Sequence, residues 1–283
     1  MKPANITLLV IFVLSATVVG CSDFLEREIV TDYKEQEVFT SYERMSQAGY
    51  GVYTFLFYRF GYHRIGNAML AAATGDADNA DVNSSVQRFN TGTWNAAYNP
   101  EDYWDDFYEG IRRANIFLEK SKDYKQILYR DTLATDNKAE YEYNVRDVAW
   151  LRAEARFLRA FYHFELIKRY GGVPILDHSS EDYEELKGME RNSFDEGVEF
   201  IRKEVDAIVP LLKDTWVGFD SDKWRGRVTK GAALALKART LLYAASPLHN
   251  PDNDVAKWVA AAEAAHDVIA LNQYALHSDY KGL

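Results

Sequence analysis

The chain has a single cysteine, Cys21, among its 283 residues. One thiol excludes an intramolecular disulfide and a cysteine-based structural zinc site. Histidine offers no substitute. The six histidines (His63, His163, His178, His249, His266 and His277) include no pair three or four apart, and no H-E-x-x-H occurs, so a metal site on one helix face is not expected. A G-x-S-x-G nucleophile elbow and a glycine-rich phosphate loop opening a helix are also missing, which removes the usual signals for acyl transfer and nucleotide binding. No metal and no cofactor is expected. Positive charge is scarce: 33 Lys and Arg against 43 Asp and Glu leave a net charge of −10. That balance argues against a nucleic-acid partner and against charge-driven adhesion to anionic headgroups. The apolar run at residues 6–19 would span ~21 Å as a helix, at ~1.5 Å per residue, against ~30 Å of hydrocarbon core.

That run reads instead as the h-region of a signal peptide, with Lys2 before it and the small-residue sequence Val18-Val19-Gly20 leading into Cys21. The combination looks like a bacterial lipobox. Cys21 is then the first mature residue and the lipidation site. Its thiolate takes a diacylglycerol and its amine a further acyl chain, and two or more chains anchor stably where one does not. Residues 1–20 are expected to be the signal peptide, residues 21–39 an extended leader, and residues 40–283 the folded domain. Composition is ordinary for a globular chain, with 47% hydrophobic and 27% charged residues. Nineteen Tyr, fifteen Phe and six Trp make an aromatic share of 14%, enough for a core and for a surface of rings with a flat apolar face and a polar edge.

Helical spacing dominates the pattern. Thr40 and Glu43 suggest a capping box opening the first helix. From residue 60 to 98 the period fails, and such long loops are often functional. Asn99 and Pro100 suit the start of a helix whose stripe is Trp104, Phe107, Tyr108, Ile111, Ala114 and Leu118. A polar insert at residues 122–138 follows. The strongest helix covers about residues 141–170, with Leu151, Ala155, Leu158 and Tyr162 on one face and Arg152, Arg156, Arg159 and His163 on another. Gly171, Gly172 and Pro174 end it. The arginines are expected to pair with acids of the next helix or stay solvated. Ser193 and Glu196 form a capping box, Thr229 opens a small-residue helix stopped by Pro247, and a last helix covers about residues 254–271 with Trp258, Ala261, Ala262, Ala265 and Val268 inward. Residues 173–176 are the one strand candidate. The predicted class is mainly α: a tetratricopeptide-like helical-repeat scaffold with long irregular loops and little strand.

Five segments carry a family resemblance. The run AEARFLRAFYHFELIKRYGGVPIL at residues 153–176 resembles the hallmark segment of the SusD/RagB family of nutrient-binding outer-membrane lipoproteins. CSDFLE at 21–26, YWDDFYEGIRRANIFLE at 103–119, RNSFDEGVEFIRKEVDAIVPLL at 191–212 and VTKGAALALKARTLLYAASP at 228–247 resemble other family segments, in order. The resemblance implies a lipid-anchored protein at the outer-membrane surface of Bacteroidetes-type bacteria. It implies a SusC-like TonB-dependent transporter as partner, an oligosaccharide or peptide ligand, and no catalysis. Family members are usually longer, and the chain is expected to be truncated at its C-terminus. The resemblance also places part of the ligand surface in the loop after the first helix. There Asp76, Asp78, Asn79, Arg88, Trp94, Asn95 and Tyr98 supply rings, amides, carboxylates and a guanidinium, with Trp94 as a stacking platform or as an anchor of the loop. Asp76 to Asp81 hints at a calcium loop but fails it: Ala80 takes the fifth position and Gln87 stands where a bidentate Glu belongs. Two other classes stay open, a surface-anchored glycan hydrolase and a repeat scaffold with no small ligand. Glu101, Asp102, Asp105 and Asp106, the acids a hydrolase would draw on, suit a helix N-terminus for dipole reasons alone.

Overall fold

The computed structural model describes residues 35–56, 69–95, 97–99, 101–132, 137–180, 182–220 and 223–279. Cys21, the signal-peptide run, most of the leader and Pro100 lie outside the described residues. The chain divides into two units, residues 1–37 and 38–283. Of the first, residues 35–37 are described, as part of the helical turn Glu35–Val38. The second is built from nine α-helices among the described residues. These are α1 (Tyr42–Gly51), α2 (Gln87–Thr91), α3 (Trp104–Lys120), α4 (Tyr124–Thr132), α5 (Lys138–Tyr170), α6 (Tyr183–Gly188), α7 (Phe194–Ile208), α8 (Lys230–Ala245) and α9 (Val255–Ala270). Short 3-10 turns at Val52–Phe55, Leu70–Ala73 and Val209–Leu211 complete it.

Helix α5 is the axis. Its 33 residues extend about 50 Å at 1.5 Å per residue, and α1, α3, α4 and α7 pack around it. That is why it buries residues on several faces, including Leu151, Leu158, Tyr162 and Leu166. Close approach is built into the sequence at Gly110 on α3, where a Cβ would fall 2.8 Å from the Tyr162 ring. Tyr162 in turn donates its hydroxyl to the Val52 carbonyl at 2.6 Å, so one buried phenol joins the 3-10 turn, α3 and α5.

Charges also enter this interior, and they are paired. Arg227 meets Asp147 at 2.6 Å and Glu154 at 2.8 Å, under the Trp216 ring at 4.2 Å. Tyr53 donates to Glu154 at 2.6 Å and Tyr42 to Asp147 at 2.9 Å. Arg156 and Arg159 pair with Glu204 of α7 at 2.9 and 2.8 Å, as expected of acids on the next helix. Arg152 turns the other way, donating to the Leu118 carbonyl and the Ser121 hydroxyl.

Local signals set most helix ends. The Ser193–Glu196 capping box is present. Thr229 caps α8 and Asp254 caps α9. Gly171 leaves α5 at φ +70°, a conformation that favours glycine. Several expectations need correction. Ser41, not Thr40, caps α1. Asn99 does not open α3: its Oδ1 accepts the Glu101 amide in a local turn, and the helix starts at Trp104. The polar insert contains α4, which buries Leu128. Residues 173–176 form no strand. Their backbone is held by Asn192, His163, Tyr108 and Asn115 in place of a β-ladder.

The α8–α9 pair packs as a helical hairpin. Asn250, buried in the link, bonds the Ala245 and Asp254 carbonyls and accepts the Asp254 amide at 2.8 Å. Only part of the α9 expectation survives. Ala261 and Ala264 are buried and Val268 half-buried, whereas Trp258, Ala262 and Ala265 face solvent. The architecture is the mainly helical, tetratricopeptide-like one that the periodicity predicts, and the single β-bridge among the described residues is Asn95–Tyr98.

Candidate functional site

Residues 69–99 stand apart from the main core. Their own small cluster comprises Ala72 and Val86, with Ala73 and Phe89 against it. Polar side chains do most of the folding here. Asp76 accepts the Thr74 hydroxyl at 3.1 Å, and Asp78 accepts the Asn79 amide at 2.8 Å. Asn79 accepts the Asp81 amide at 2.9 Å. Such side-chain-to-backbone bonds are why Asp and Asn concentrate in turns.

Gln87, not singled out as a site residue, organises this half of the loop. Its amide donates to Asp78 Oδ1 at 2.8 Å and to the Asn79 carbonyl at 2.7 Å. Where the calcium pattern calls for a bidentate Glu, Gln87 thus contributes an amide donor. No cluster of three or more metal-ligating groups exists among the described residues.

Aromatic display lies in the other half. Asn95 and Tyr98 exchange backbone hydrogen bonds at 3.1 and 3.0 Å, and Asn95 Oδ1 accepts the Ala97 and Tyr98 amides. This tight turn holds Trp94 and Tyr98 outward, 50% and 45% exposed. The Arg88 guanidinium sits 3.8 Å from the Tyr98 ring centroid, and Trp94 leans on Phe89 at 5.9 Å. Of the seven sequence candidates, Arg88, Trp94, Asn95 and Tyr98 therefore form one group. Asp76, Asp78 and Asn79 form a second, linked to the first through neighbouring α2 residues Gln87 and Arg88. Trp94 is both half-anchored and half-displayed.

Charge in the adjoining framework is fixed rather than reactive. His163, fully buried, has its pKa pushed down to about 4 by that burial. Its Nδ1 faces the Arg159 carbonyl at 2.8 Å and its Nε2 accepts the Leu176 amide at 3.2 Å, which defines a neutral ring protonated on Nδ1. Glu101 pairs with Arg169 at 3.0 Å and Asp102 accepts the Tyr170 hydroxyl at 2.9 Å, so both serve the packing of α3 on α5.

The described residues thus form a helical-repeat body carrying an irregular loop with displayed rings. Residues 23–242 match the SusD-like family described as starch-binding and associating with the outer membrane. The chain belongs to this SusD/RagB family. The SusD-like protein P38 of Formosa agariphila is 27% identical over 178 residues, covering 63% of this chain and 28% of that protein. A SusD homologue from Bacteroides thetaiotaomicron superposes with a TM-score of 0.62 at 20% identity, over 88% of this chain and 44% of that one. Surface glycan-binding protein A from Bacteroides fluxus gives 0.58 at 19% identity, over 85% and 46%. Likeness at that identity shows the fold. The chain spans 28% of the length of the Formosa relative and less than half of these solved structures. The family is thus described as starch-binding and outer-membrane-associated, and the Bacteroides fluxus relative as a surface glycan-binding protein. No helix among the described residues is long and apolar enough to cross a membrane.

Proposed function

We propose that this chain captures oligosaccharides at the cell surface and passes them to a SusC-like TonB-dependent transporter, tethered by lipid on Cys21. One observation carries the ligand class: the turn closed by Asn95 displays Trp94 and Tyr98 together, with the Arg88 guanidinium beside them. A pyranose offers one face of C–H groups. Laid on a half-exposed indole it buries about 60 Å² of apolar area, worth about 1.5 kcal/mol. Hydroxyls at the ring edge need partners. The guanidinium N–H groups of Arg88 and the side-chain Nδ2 of Asn95 make no hydrogen bond to described residues, and the Asp76 and Asp78 carboxylates lie in the same loop. The reading is one of binding and release without chemistry.

Titration calorimetry of the full chain with maltooligosaccharides and β-glucan fragments tests the reading. Trp94→Ala is expected to weaken the best ligand about tenfold; unchanged affinity rejects the platform role. Copurification with a TonB-dependent transporter in mild detergent, and fatty-acid labelling abolished by Cys21→Ser, test the partner and the anchor. The division into residues 1–20, 21–39 and 40–283 belongs to this proposal.

A further inference from the structure

A second concavity is lined by no residue of the loop. A cavity of about 500 Å³ runs between the outer side of α3 and residues 174–189. Trp104 and Tyr108 line it from α3, and Leu186 and Met189 from α6 and its C-cap. Helical spacing puts Trp104 and Tyr108 on the core stripe, yet both are only half-buried. Packing holds the α6 part of this lining weakly, since residues 184–188 are all exposed. Side-chain hydrogen bonds tie it down instead.

The chain just before α6 is itself anchored. Arg159 of α5 donates to the Asp177 carbonyl at 2.6 Å, and Asn115 of α3 to the His178 carbonyl at 2.8 Å. Glu119 of α3 accepts the Ser179 amide at 2.6 Å and the Ser179 hydroxyl as well. From α6, Glu185 reaches back to this segment twice. One oxygen accepts the Ser180 hydroxyl, and the other lies 3.0 Å from His178 Nε2. The second ring nitrogen, Nδ1, lies 2.9 Å from Asp177 Oδ1. The Asp177 carboxyl is held below its usual range by its bond to His178, and Glu185 by its bonds to Ser180 and His178. Ionised carboxylates only accept, so each ring nitrogen carries a proton and His178 is an imidazolium here. A neutral ring has a single N–H. With one proton gone, a lone pair faces a carboxylate and one of the two bonds is lost. Asp177, the adjacent residue, stays beside the ring, whereas Glu185 is free to leave with α6.

We infer that His178 and Glu185 form a proton-operated latch on the α6 side of this cavity. The imidazolium holds α6, and with it Leu186 and Met189, to the anchored segment. Loss of one ring proton releases α6 and opens that side. Hydrogen bonds to Asp177 and then to Glu185 raise the ring's pKa above the ordinary 6.5, so release comes on the alkaline side of that value. Other charged groups surround the latch. Asp105, Glu109 and Arg112 of α3 line the same cavity, Glu119 holds Ser179, Arg159 of α5 pairs with Glu204, and α6 carries Glu184 and Lys187. Among these residue types, histidine alone ordinarily changes charge near neutrality. The His178–Glu185 bond is single and exposed, so its loss should change the ratio of latched to released α6 about threefold to fivefold. The latch does not rest on the glycan reading of the loop.

NMR of the full chain between about pH 6 and pH 8.5 tests this. Met189 lines the cavity, and Met45, fully buried in the core, reports folding. The Met189 methyl is expected to titrate with the midpoint of the His178 ring, above 6.5, while Met45 stays still. The Leu186 and Met189 amides, bonded to the Asp182 and Leu186 carbonyls, report release directly, because so short a helix has little stability once untethered. Their exchange with water, divided by the rate in an unstructured peptide, should rise about threefold to fivefold across the range. His178→Gln should make that ratio independent of pH. Glu185→Gln keeps an acceptor for Ser180 but removes the charge, and should lower the His178 midpoint by about 0.5. Both positions are exposed, so Met45 should not move in either variant. Trp94→Ala should leave midpoint and exchange as they were, so failure of the glycan reading and failure of this one are distinguishable. The inference is overturned if the exchange ratio stays flat while His178 titrates, if His178→Gln keeps the pH dependence of the two amides, or if Glu185→Gln leaves the midpoint in place.

Discussion

Helix α5 and the loop at residues 69–99 are both rich in polar side chains, and they use them in opposite ways. On α5, Asp147 and Glu154 are 1% and 0% exposed and reach partners 73 to 105 residues away. In the loop, Asp76, Asp78 and Asn79 bond groups no more than nine residues distant, mostly at the surface. The first arrangement ties distant segments together, and removing one partner strands a buried charge. The second only shapes a local backbone. Such a loop tolerates change cheaply, as the proposed role of a ligand surface on a constant scaffold would require.

The sharpest way to break this contrast is to delete one partner in each region. Arg227→Ala leaves two buried carboxylates facing each other without a cation, and about 3–5 kcal/mol of stability should be lost in urea unfolding. Gln87→Ala, which frees Asp78 at the surface, should cost less than about 1 kcal/mol. Equal costs would mean that the loop is as integral to the fold as α5.

Acid is the next lever. His163 has a folded-state pKa of about 4, pushed down by burial from an ordinary value of 6.5. The unfolded chain therefore binds more protons between those values, so stability rises with pH across that window and is lost as pH falls through it. The expected loss from pH 7 to 4 is on the order of 3 kcal/mol from this residue. In His163→Gln the slope between pH 4 and 6.5 should fall by about one proton. An identical slope in both chains would remove His163 as the cause. His178, exposed and held by two carboxylates, has its pKa raised. Its contribution runs the other way, present below 6.5 and lost at higher pH, so the variant comparison is needed to isolate His163.

Packing at Gly110 should rank third. A methyl there falls 2.8 Å from the Tyr162 ring and 3.1 Å from Phe55 Cβ. Overpacking of this kind costs about 1–3 kcal/mol. Gly49→Ala, facing Phe117 at 3.0 Å, should cost less, because the contact is with the end of a ring. Thermal unfolding of the two variants orders them, and the reverse order would place the tighter seam between α1 and α3.

What could be read from the sequence follows from how local each determinant is. The Ser193–Glu196 box, the Thr229 and Asp254 caps and Gly171 act within one helical turn, and each sits where expected. Helix α4 was illegible because, flanked by lysines and acids, it buries Leu128 with little stripe to show for it. The inward face of α9 could not be chosen by periodicity, since alanines line both sides. At the candidate site the residue types were legible and their grouping was not. Arg88 and Tyr98 meet only because the Asn95 turn folds the chain back. The groove beside Trp104 and Tyr108 was hidden for a related reason. Rings at helical spacing signal an apolar face, but only the fold decides whether a neighbour covers it.

The smallest expected effect concerns Arg88, and it separates stability from recognition within the loop. Its guanidinium carbon rests 3.8 Å from the Tyr98 ring centroid, and exposed cation–π pairs are worth about 0.5–1 kcal/mol. Lysine keeps the charge but loses the planar fork that can stack and hydrogen-bond together. Arg88→Lys should therefore change unfolding free energy by less than about 0.5 kcal/mol. Glycan affinity should fall about threefold to fivefold if, as proposed, the fork of N–H groups serves ring hydroxyls. Calorimetry on the variant beside Tyr98→Phe, which keeps the ring under Arg88, reads the two terms apart. Should Arg88→Lys lower stability and leave affinity untouched, the stack belongs to the loop's architecture, and the displayed surface narrows to Trp94 and Asn95.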